Sequence, residues 1–233
     1  MSELPSRGRP RVKPDVPDES TVLTMTTIDL AFPVRGTSVP VDHGYPLYAA
    51  LSNLVPEIHA VAWLGVHPIS GRRQHPDRLR LGPRGELRLR LPAEKIPTVL
   101  PLAGTRPRVD DAFLTLGAPS VHPLVGAPSL DARLVVVKLT DVPKSDDGAI
   151  SRELFAERYR QELARQMERL GVRGSLSLEG RRGLSVKGKR VIGFSVRVSD
   201  LSDADSVTLQ ANGLGGKRAM GCGIFRPTRG KRT

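Results

Sequence analysis

The sequence predicts an α+β fold made of two successive units, each with the element order β-α-β-β-α-β. Three observations predict it. Short segments alternate apolar and polar residues as strands do, longer segments repeat apolar residues every three or four positions as helices do, and the second half repeats the order of the first. The length of 233 residues is enough for two domains of about 100 residues each.

The clearest element of the first unit is a helix over residues 45–54. Leucines recur there at spacings of four and three, Pro46 fits in the first turn, and Pro56 ends the helix. The strands around it are marked by β-branched and aromatic residues or by alternating leucine and arginine. The predicted strands are 22–34, 60–69, 86–91 and 112–124, the last of them with breaks, and the second helix is 92–102.

The second unit is centred on a long helix over residues 150–170, which we expect Gly171 to cap. Ser202 is a suitable N-cap for a shorter helix further along the chain. The other predicted elements are a strand at 130–139, a hairpin of 175–179 and 187–198 joined by a basic loop, the short helix 203–210 and an edge strand at 221–227.

This element order is that of the split βαβ, or ferredoxin-like, domain. The sequence therefore predicts two tandem ferredoxin-like domains with a glycine-rich loop near the C-terminus. Their predicted limits are residues 21–127 and 128–227. A Pro-rich disordered leader is expected over residues 1–20 and a basic tail over residues 228–233.

The charge of the chain indicates a polyanionic partner. Lysine and arginine number 36 against 24 aspartate and glutamate, a net charge of +12 at pH 7, and most of the excess lies in residues 181–233. A membrane is a poor candidate, because no segment approaches the roughly 20 apolar residues of a spanning helix and the polar N-terminus lacks a secretory signal. The single Cys222 cannot form an internal disulfide. We therefore expect a cytoplasmic protein that binds nucleic acid.

Residues 212–223 (NGLGGKRAMGCG) are the most informative segment. Five glycines surround two cations, and free glycine N–H groups in such a loop can line a phosphate. The segment is not a Walker loop, because Arg218 stands where that motif needs Ser or Thr, and a dinucleotide fingerprint needs a glycine at the same position. A tight turn between a helix and a strand is the alternative. The candidate phosphate ligands are Gly213, Gly215, Gly216, Lys217, Arg218 and Gly221.

The pattern G-x-G-G-K-R-x-x-G-x-G-x-F at residues 213–225 resembles the C-terminal signature of the RAMP superfamily. The upstream segments DHGYPLYAALS and WLGVHPISG are similar to the myxobacterial-type branch of its CRISPR repeat-RNA processing endoribonucleases. The resemblance covers roughly residues 27–227. It implies binding of a hairpin in CRISPR repeat RNA, cleavage at the base of the stem, and other subunits of a CRISPR effector complex as partners.

The resemblance also implies a transesterification that needs neither a metal nor a cofactor. The ribose 2′-OH attacks the adjacent phosphate, and the products carry a 2′,3′-cyclic phosphate and a 5′-OH. This chemistry uses a base, an acid and a cation, and histidine suits the first two because its pKa is near neutrality. By family position, we expect catalysis from His59 and His43, which flank the first helix, and from Tyr45 and Tyr48 near its start.

The remaining cations are candidates for the phosphate or for RNA binding. Some relatives use a lysine shortly after the histidine, and because none occurs here before Lys95, Arg72 or Arg73 is the candidate cation. Arg88 and Arg90, expected on the exposed face of a strand, are weaker candidates for RNA contact. A basic hairpin can follow the phosphates of an A-form helix. Its expected contacts are Arg181, Arg182, Lys187, Lys189 and Arg190.

Two other functions remain open. A non-catalytic RAMP subunit that coats guide RNA would use the same glycine-rich loop, and its histidines would be incidental. An RRM-type binder shares the ferredoxin-like topology but stacks bases on aromatic residues, which are only 4% of this chain, so this hypothesis ranks third. A zinc site is not expected, because His59, His67 and His75 recur at a spacing that matches no compact site.

Overall fold

The computed structural model describes residues 26–139 and 152–228, and these residues form a mixed α+β fold with antiparallel sheets. The predicted leader and most of the basic tail lie outside the described residues. The strands are β1 (Thr27–Arg35), β2 (Ser38–Pro40), β3 (Gly65–Val66), β4 (Arg72–Arg73), β5 (Arg78–Arg80), β6 (Glu86–Pro92), β7 (Arg108–Val109), β8 (Ala112–Phe113), β9 (Thr115–Leu116), β10 (Ser120–Pro123), β11 (Ser129–Val135), β12 (Ser175–Val186), β13 (Lys189–Ser199) and β14 (Arg226–Pro227). The α-helices are α1 (Gly44–Leu54), α2 (Ile96–Val99), α3 (Arg152–Arg169) and α4 (Asp203–Asn212). None of these helices has both the length and the apolar character needed to cross a membrane.

The N-terminal sheet has the strand order β10-β1-β6-β3, and β9 also pairs with β1. Alternation along β1 places Leu30 and Phe32 in one core with Leu47 and Leu51 of α1. Burial of each such side chain stabilises the fold by about 1.5–3 kcal/mol, so this core holds α1 on the sheet. Asp29, between the apolar positions of β1, lies on the opposite face of the sheet. Two smaller antiparallel sheets, β2-β5-β4 and β7-β8, complete this half of the chain.

The C-terminal sheet has the strand order β12-β13-β11-β14. Tyr159, Leu163 and Met167 form a stripe along α3 with a spacing of four residues, as expected for one face of a helix. They pack with Val196 of β13 and Leu209 of α4 in the core of this half. Both helices that cover this sheet are thus fixed by apolar contacts.

Both predicted helix caps are confirmed. The Ser202 hydroxyl accepts the Asp205 N–H at 3.1 Å at the start of α4. Gly171 follows α3 with a φ of 68°, the left-handed conformation that glycine adopts most readily after a helix.

Two predicted strands are much shorter than expected. The strand 60–69 is reduced to β3, because Ala60 has a φ of 57° that turns the chain and Pro68 has no N–H to donate. The strand 221–227 is reduced to β14, because Gly221 and Gly223 have φ angles of 80° and 65° that interrupt an extended backbone.

The predicted basic loop of the hairpin is wrong, because these residues belong to β12. A register shift between Leu178 and Gly180 accommodates a bulge, and pairing with β13 then continues to Val186. The connection is the two-residue turn Lys187–Gly188, with φ angles of 49° and 76° that suit a tight hairpin. We call β12 and β13 the basic hairpin, because its cations lie on paired strands and in this turn.

Candidate catalytic and nucleic-acid site

His59 and Tyr48 are brought together by the turn that follows α1. Tyr48 is buried in α1, and His59 is exposed at the end of the short 3-10 segment Pro56–Ile58. The two rings are stacked, with centroids 6.0 Å apart and planes 19° apart. The Ala60 N–H donates to the Tyr48 Oη at 2.7 Å. The tyrosine therefore holds the backbone beside His59 and leaves the imidazole accessible to solvent.

His43 does not have the free imidazole that catalysis would require, which corrects the expectation from its position. It is 2% exposed; its Nδ1–H donates to the Pro40 carbonyl at 2.7 Å and its Nε2 accepts the Ile69 N–H at 2.9 Å. Burial lowers the pKa of His43, which favours the neutral ring that these two bonds need. His43 supplies an acceptor for a buried backbone N–H that would otherwise be unpaired. Tyr45, near the start of α1, is half-buried.

The glycine-rich loop, residues 213–223, does not offer free glycine N–H groups to a phosphate. Each glycine N–H in it donates to an acceptor within the protein. Four of them donate to backbone carbonyl oxygens: Gly213 to Leu209, Gly216 to Val136, Gly221 to Arg218 and Gly223 to Leu134. The Gly215 N–H donates to the side-chain oxygen of Gln166. The expectation of a phosphate cradle built from these groups is therefore wrong, and the alternative of a tight turn accounts for their positions.

Close packing explains why four of these positions are glycine. A Cβ on Gly213 would overlap the carbonyl oxygen of Gly223, and a Cβ on Gly223 would overlap that of Leu214. A Cβ on Gly215 would likewise overlap a neighbouring carbonyl, and a Cβ on Gly221 would lie 2.9 Å from Pro68. Gly216 differs, because it is exposed and a Cβ there would meet no atom within 4 Å.

The two cations of the loop have different surroundings. Lys217 is exposed at a left-handed position with a φ of 62°. Arg218 turns inward, where its Nη2 donates to the Ala211 carbonyl at 2.7 Å. Burial and the nearby Arg90 lower the pKa of Arg218 to about 10, so it remains charged at neutral pH. Lys217 is thus directed to solvent, and Arg218 is part of the loop's support.

The cations of the basic hairpin are divided between its two faces. The register places Arg182 and Lys189 on one face, together with the buried Leu184. Arg181 and Arg190 lie on the other face, where the Arg181 guanidinium carbon is 5.8 Å from the centroid of the Phe155 ring of α3. The sequence had led us to expect that one RNA strand contacts all of these side chains. Their division between two faces means that a strand approaching from one direction cannot do so.

A buried ionic network joins the two halves of the chain, and sequence reasoning missed it. Arg90 is 1% exposed and its Nε and Nη2 donate to the Asp29 carboxylate at 2.7 and 3.0 Å. Its Nη1 donates to the carbonyl oxygens of Gln210 and Phe225 in the other half, at 2.8 and 2.7 Å. Arg90 is thus not on an exposed face. The available signal was Asp29, an acidic residue in the otherwise apolar strand TIDLAFPVR.

His67 completes this network from β3's edge of the sheet. Its Nε2 lies 3.3 Å from Asp29 Oδ1, and its buried Nδ1 has no partner among the described residues. Burial lowers the pKa of His67 to about 4, so the ring is neutral at pH 7. Burial alone would raise the pKa of Asp29, but hydrogen bonds and charge from His67 and Arg90 hold it well below its usual range. Asp29 is therefore ionised across the ordinary pH range.

The network lines a cleft of about 730 Å³ between the faces of the two sheets. Many of the cleft's cations are already paired. Arg88 pairs with Glu86 at 3.0 Å and Arg197 pairs with Asp131 at 2.8 Å. The cleft is accordingly less basic than its arginine content indicates, because these charges are offset by carboxylates on the same strand or on the neighbouring one.

We expect the stability of the protein to fall as the pH is lowered from 6.5 to about 4. The unfolded His67 binds a proton near pH 6.5, whereas the folded residue does so only near 4, so acid favours the unfolded state within this window. The full effect is about 3 kcal/mol in the free energy of unfolding, and the lowered pKa of His43 acts in the same direction. Urea denaturation at several pH values measures it.

The matched variants for this pH series are His67→Gln and His75→Gln. Glutamine at position 67 can still donate to Asp29 but does not titrate, so the loss of stability in acid should shrink. His75 lies on the exposed surface and its replacement should leave the loss unchanged. An undiminished loss in His67→Gln would contradict the assignment.

Two further expectations from the sequence concern the cation that would contact the phosphate and the absence of a metal site. Arg72 and Arg73 form the exposed strand β4. Within residues 26–139 and 152–228, no three histidine, cysteine, aspartate or glutamate side chains are grouped so that they would hold a metal ion.

This chain is similar in sequence and in structure to several known proteins. The family model described as Cas6 Crispr matches residues 28–230. The CRISPR-associated endonuclease Cas6 of Myxococcus xanthus (strain DK1622) is 39% identical over 203 residues, which are 87% of this chain and 82% of that protein. The solved structure "CRISPR associated protein Cas6" aligns with a TM-score of 0.61 at 12% identity, over 87% of this chain and all of that one. A Cas6-related protein from Pyrococcus furiosus aligns with a TM-score of 0.60 at 16% identity, over 86% and 98% of the two chains. At these identities the structures show similarity of fold alone.

Proposed function

Because the chain belongs to the Cas6 family of CRISPR-associated proteins, as the resemblance of its loop and first helix had predicted, we propose that it is an endoribonuclease that processes CRISPR repeat RNA. It binds the hairpin of the repeat in the precursor RNA and cuts at the base of the stem to release guide RNA. The observation that carries the proposal is the exposed His59 imidazole, held beside Tyr48 in a chain that is 39% identical to a protein named as an endonuclease.

The proposed reaction is a metal-independent transesterification. His59 acts as the general base for the ribose 2′-OH or as the general acid for the leaving 5′-oxygen, since histidine exchanges protons readily near neutral pH. The exposed guanidinium of Arg72 or Arg73 is the proposed cation for the charge that develops on the phosphate. The bond between the phosphorus and the 5′-oxygen breaks as the 2′-oxygen attacks, which leaves a 2′,3′-cyclic phosphate and a 5′-OH.

Tyr48 is proposed to position His59 rather than to exchange a proton. Its hydroxyl oxygen accepts the Ala60 N–H, which fixes the backbone beside His59, and its ring is stacked on the imidazole. His43 is left out of the proposed catalytic group because both of its ring nitrogens are hydrogen bonded within the protein.

We further propose that each half of the chain is a ferredoxin-like domain, with limits at residues 21–127 and 128–227. The strand order of the described residues supports this. When the four strands of each main sheet are numbered by their order in the chain, the first half has the order 4-1-3-2 and the second half has 2-3-1-4, which is the same order read from the other edge. Both agree with the split βαβ topology.

The proposed RNA-contacting surface is smaller than the set of residues predicted from the sequence. It comprises Gly216 and Lys217 of the glycine-rich loop, Arg182 and Lys189 on one face of the basic hairpin, and Lys187 in its turn. Phosphate contacts by these exposed cations would make binding weaken as salt is raised. Gly213, Gly215, Gly221 and Arg218 are proposed to build the loop, and Arg181 and Arg190 face away from Leu184.

A non-catalytic RAMP subunit remains the second candidate function. The observation in its favour is that only one of the two histidines expected to act in catalysis has an accessible ring. In either case we propose that other subunits of a CRISPR effector complex are partners, because a strongly basic surface can retain the RNA after it is cut.

Cleavage of the repeat RNA from the protein's own locus in the presence of EDTA tests the proposal. We expect a single cut at the base of the stem and a 2′,3′-cyclic phosphate on the upstream product. Tight binding without any cut would favour the non-catalytic subunit. A cut that appears only when a divalent metal is restored would contradict the metal-independent mechanism.

A further inference from the structure

We propose that Asp42 is a positioning residue that holds the basic hairpin and helix α1 in one fixed relation, so that RNA bound by the hairpin is aligned with His59. The inference rests on the proposed function, because it assumes that the hairpin binds RNA and that His59 takes part in cleavage. Asp42 lies two residues before α1, and the strand it contacts is 143 residues further along the chain.

The contact is a hydrogen bond to the backbone of an edge strand. In the sheet order, β12 is at the edge, so its outward N–H groups have no strand to pair with. The Ser185 N–H donates to Asp42 Oδ2 at 2.8 Å. A carboxylate acceptor makes such a bond stronger than one between neutral groups. Asp42 thereby ties the segment that leads into α1 to the hairpin, at a position between the turn Lys187–Gly188 and the bulge of β12.

Packing next to this bond holds α1 from two sides. Leu184 of β12 is fully buried, and its Cδ1 would lie 2.9 Å from a Cβ placed on Gly44, the first residue of α1. On the other side, that Cβ would overlap the Met220 carbonyl of the glycine-rich loop. The start of α1 is therefore clamped between the two elements that carry the proposed RNA contacts. The same helix carries Tyr48, which holds His59.

The negative charge of Asp42 is unfavourable for RNA binding. An effect of Asp42 on the position of the RNA can therefore be distinguished from an effect on the affinity for RNA. The charges of Asp42 and Arg182 both affect the pKa of Arg133, which lies near them. The charges of Asp42 and Lys217 likewise both affect the pKa of the buried Cys222. A carboxylate among these cations reduces the local attraction for phosphate. Removal of Asp42 should therefore leave RNA binding as tight or tighter, while the alignment of the RNA with His59 is lost.

The test compares Asp42→Ala with Asp42→Asn on cognate repeat RNA, with affinity and single-turnover cleavage measured separately. We expect Asp42→Ala to bind RNA at least as tightly as the wild type and to cleave about tenfold more slowly, the loss expected for one charge-assisted hydrogen bond. Asp42→Asn keeps an oxygen acceptor for Ser185 and should retain most of the rate. Glu168→Ala, which removes an exposed acidic residue on α3, is the charge-matched control and should cleave normally.

Two further measurements separate failure of this inference from failure of the proposed function. Ser185→Pro removes the N–H donor, and proline is tolerated there because β12 is an edge strand. The double variant Asp42→Ala with Ser185→Pro should cleave no more slowly than the slower of the two single variants, because both remove the same hydrogen bond. Hydrogen exchange of the α1 amides does not depend on cleavage: RNA should protect them in the wild type and in Glu168→Ala but not in Asp42→Ala. The role of Asp42 would be overturned by any of three results. These are equal protection of the α1 amides in all three proteins, no protection in the wild type, and cleavage by Asp42→Ala at the wild-type rate.

Discussion

Replacement of His59 by alanine is expected to slow single-turnover cleavage of the cognate repeat RNA by about 10²–10⁴-fold, the usual contribution of a general acid or base. The affinity for the RNA should change little, because the phosphate contacts are assigned to other side chains. The imidazole is exposed and its neighbour Tyr48 stays anchored by the Ala60 N–H, so the variant should also fold normally. Cleavage with enzyme in excess, beside a binding assay with the same RNA, measures both quantities.

Two variants make this result specific. His75→Ala removes another exposed imidazole on the same half of the chain and should cleave like the wild type. Tyr48→Phe keeps the ring against His59 but removes the acceptor for the Ala60 N–H, and we expect an intermediate loss of about tenfold. Normal cleavage by His59→Ala would remove His59 from the mechanism and leave the non-catalytic function as the better hypothesis.

Replacement of Arg90 by methionine is expected to lower the free energy of unfolding by about 3–5 kcal/mol, the cost of removing one partner of a buried ion pair. Asp29 would remain ionised and buried without its bidentate partner. The carbonyl oxygens of Gln210 and Phe225 would lose their common donor in the same variant. Urea denaturation at pH 7 measures the change.

Arg88→Met is the matched control, because Arg88 is two residues away on the same strand and is partly exposed. Its guanidinium pairs with Glu86 at 3.0 Å and lies 3.6 Å from Asp29 without replacing the bidentate Arg90, and because the side chain is partly exposed to water its loss should cost no more than about 1 kcal/mol. The double variant Asp29→Leu with Arg90→Met removes both charges and should recover part of the stability. If Arg90→Met costs no more than Arg88→Met, the network does not hold the two halves together.

Three of the four α-helices in the described residues, and the order of helices and main strands along the chain, were predictable from the sequence because they depend on local patterns, whereas the predicted helix 92–102 is reduced to α2 between two 3-10 turns. The stripe of Tyr159, Leu163 and Met167 is a property of residues four apart, and the caps at Gly171 and Ser202 depend on single residues beside the helices. These signals need no knowledge of what the elements pack against.

The roles of the charged and titratable residues were not predictable in the same way. Alternation in ELRLRL places Arg90 opposite the leucines, but only the position of the second sheet determines whether that face is open to solvent. His43 is structural because Ile69, 26 residues later, requires an acceptor. The cations at 181 and 182 were assigned to a loop because they are charged, although β12 is an edge strand that tolerates charge on both faces.

The glycine-rich loop has a consequence for how relatives of this protein should be identified. Its glycine N–H groups are all used internally, and most of its glycines stand where any side chain would collide with the backbone. A relative with the same backbone path needs glycine at these positions to close the structure, whether or not the RNA is cut. A chain that keeps this loop and has lost an imidazole at the position of His59 should retain the fold and the exposed lysine but not the nuclease activity. The loop is a marker of architecture, and the turn after the first helix is where active and inactive relatives should be distinguished.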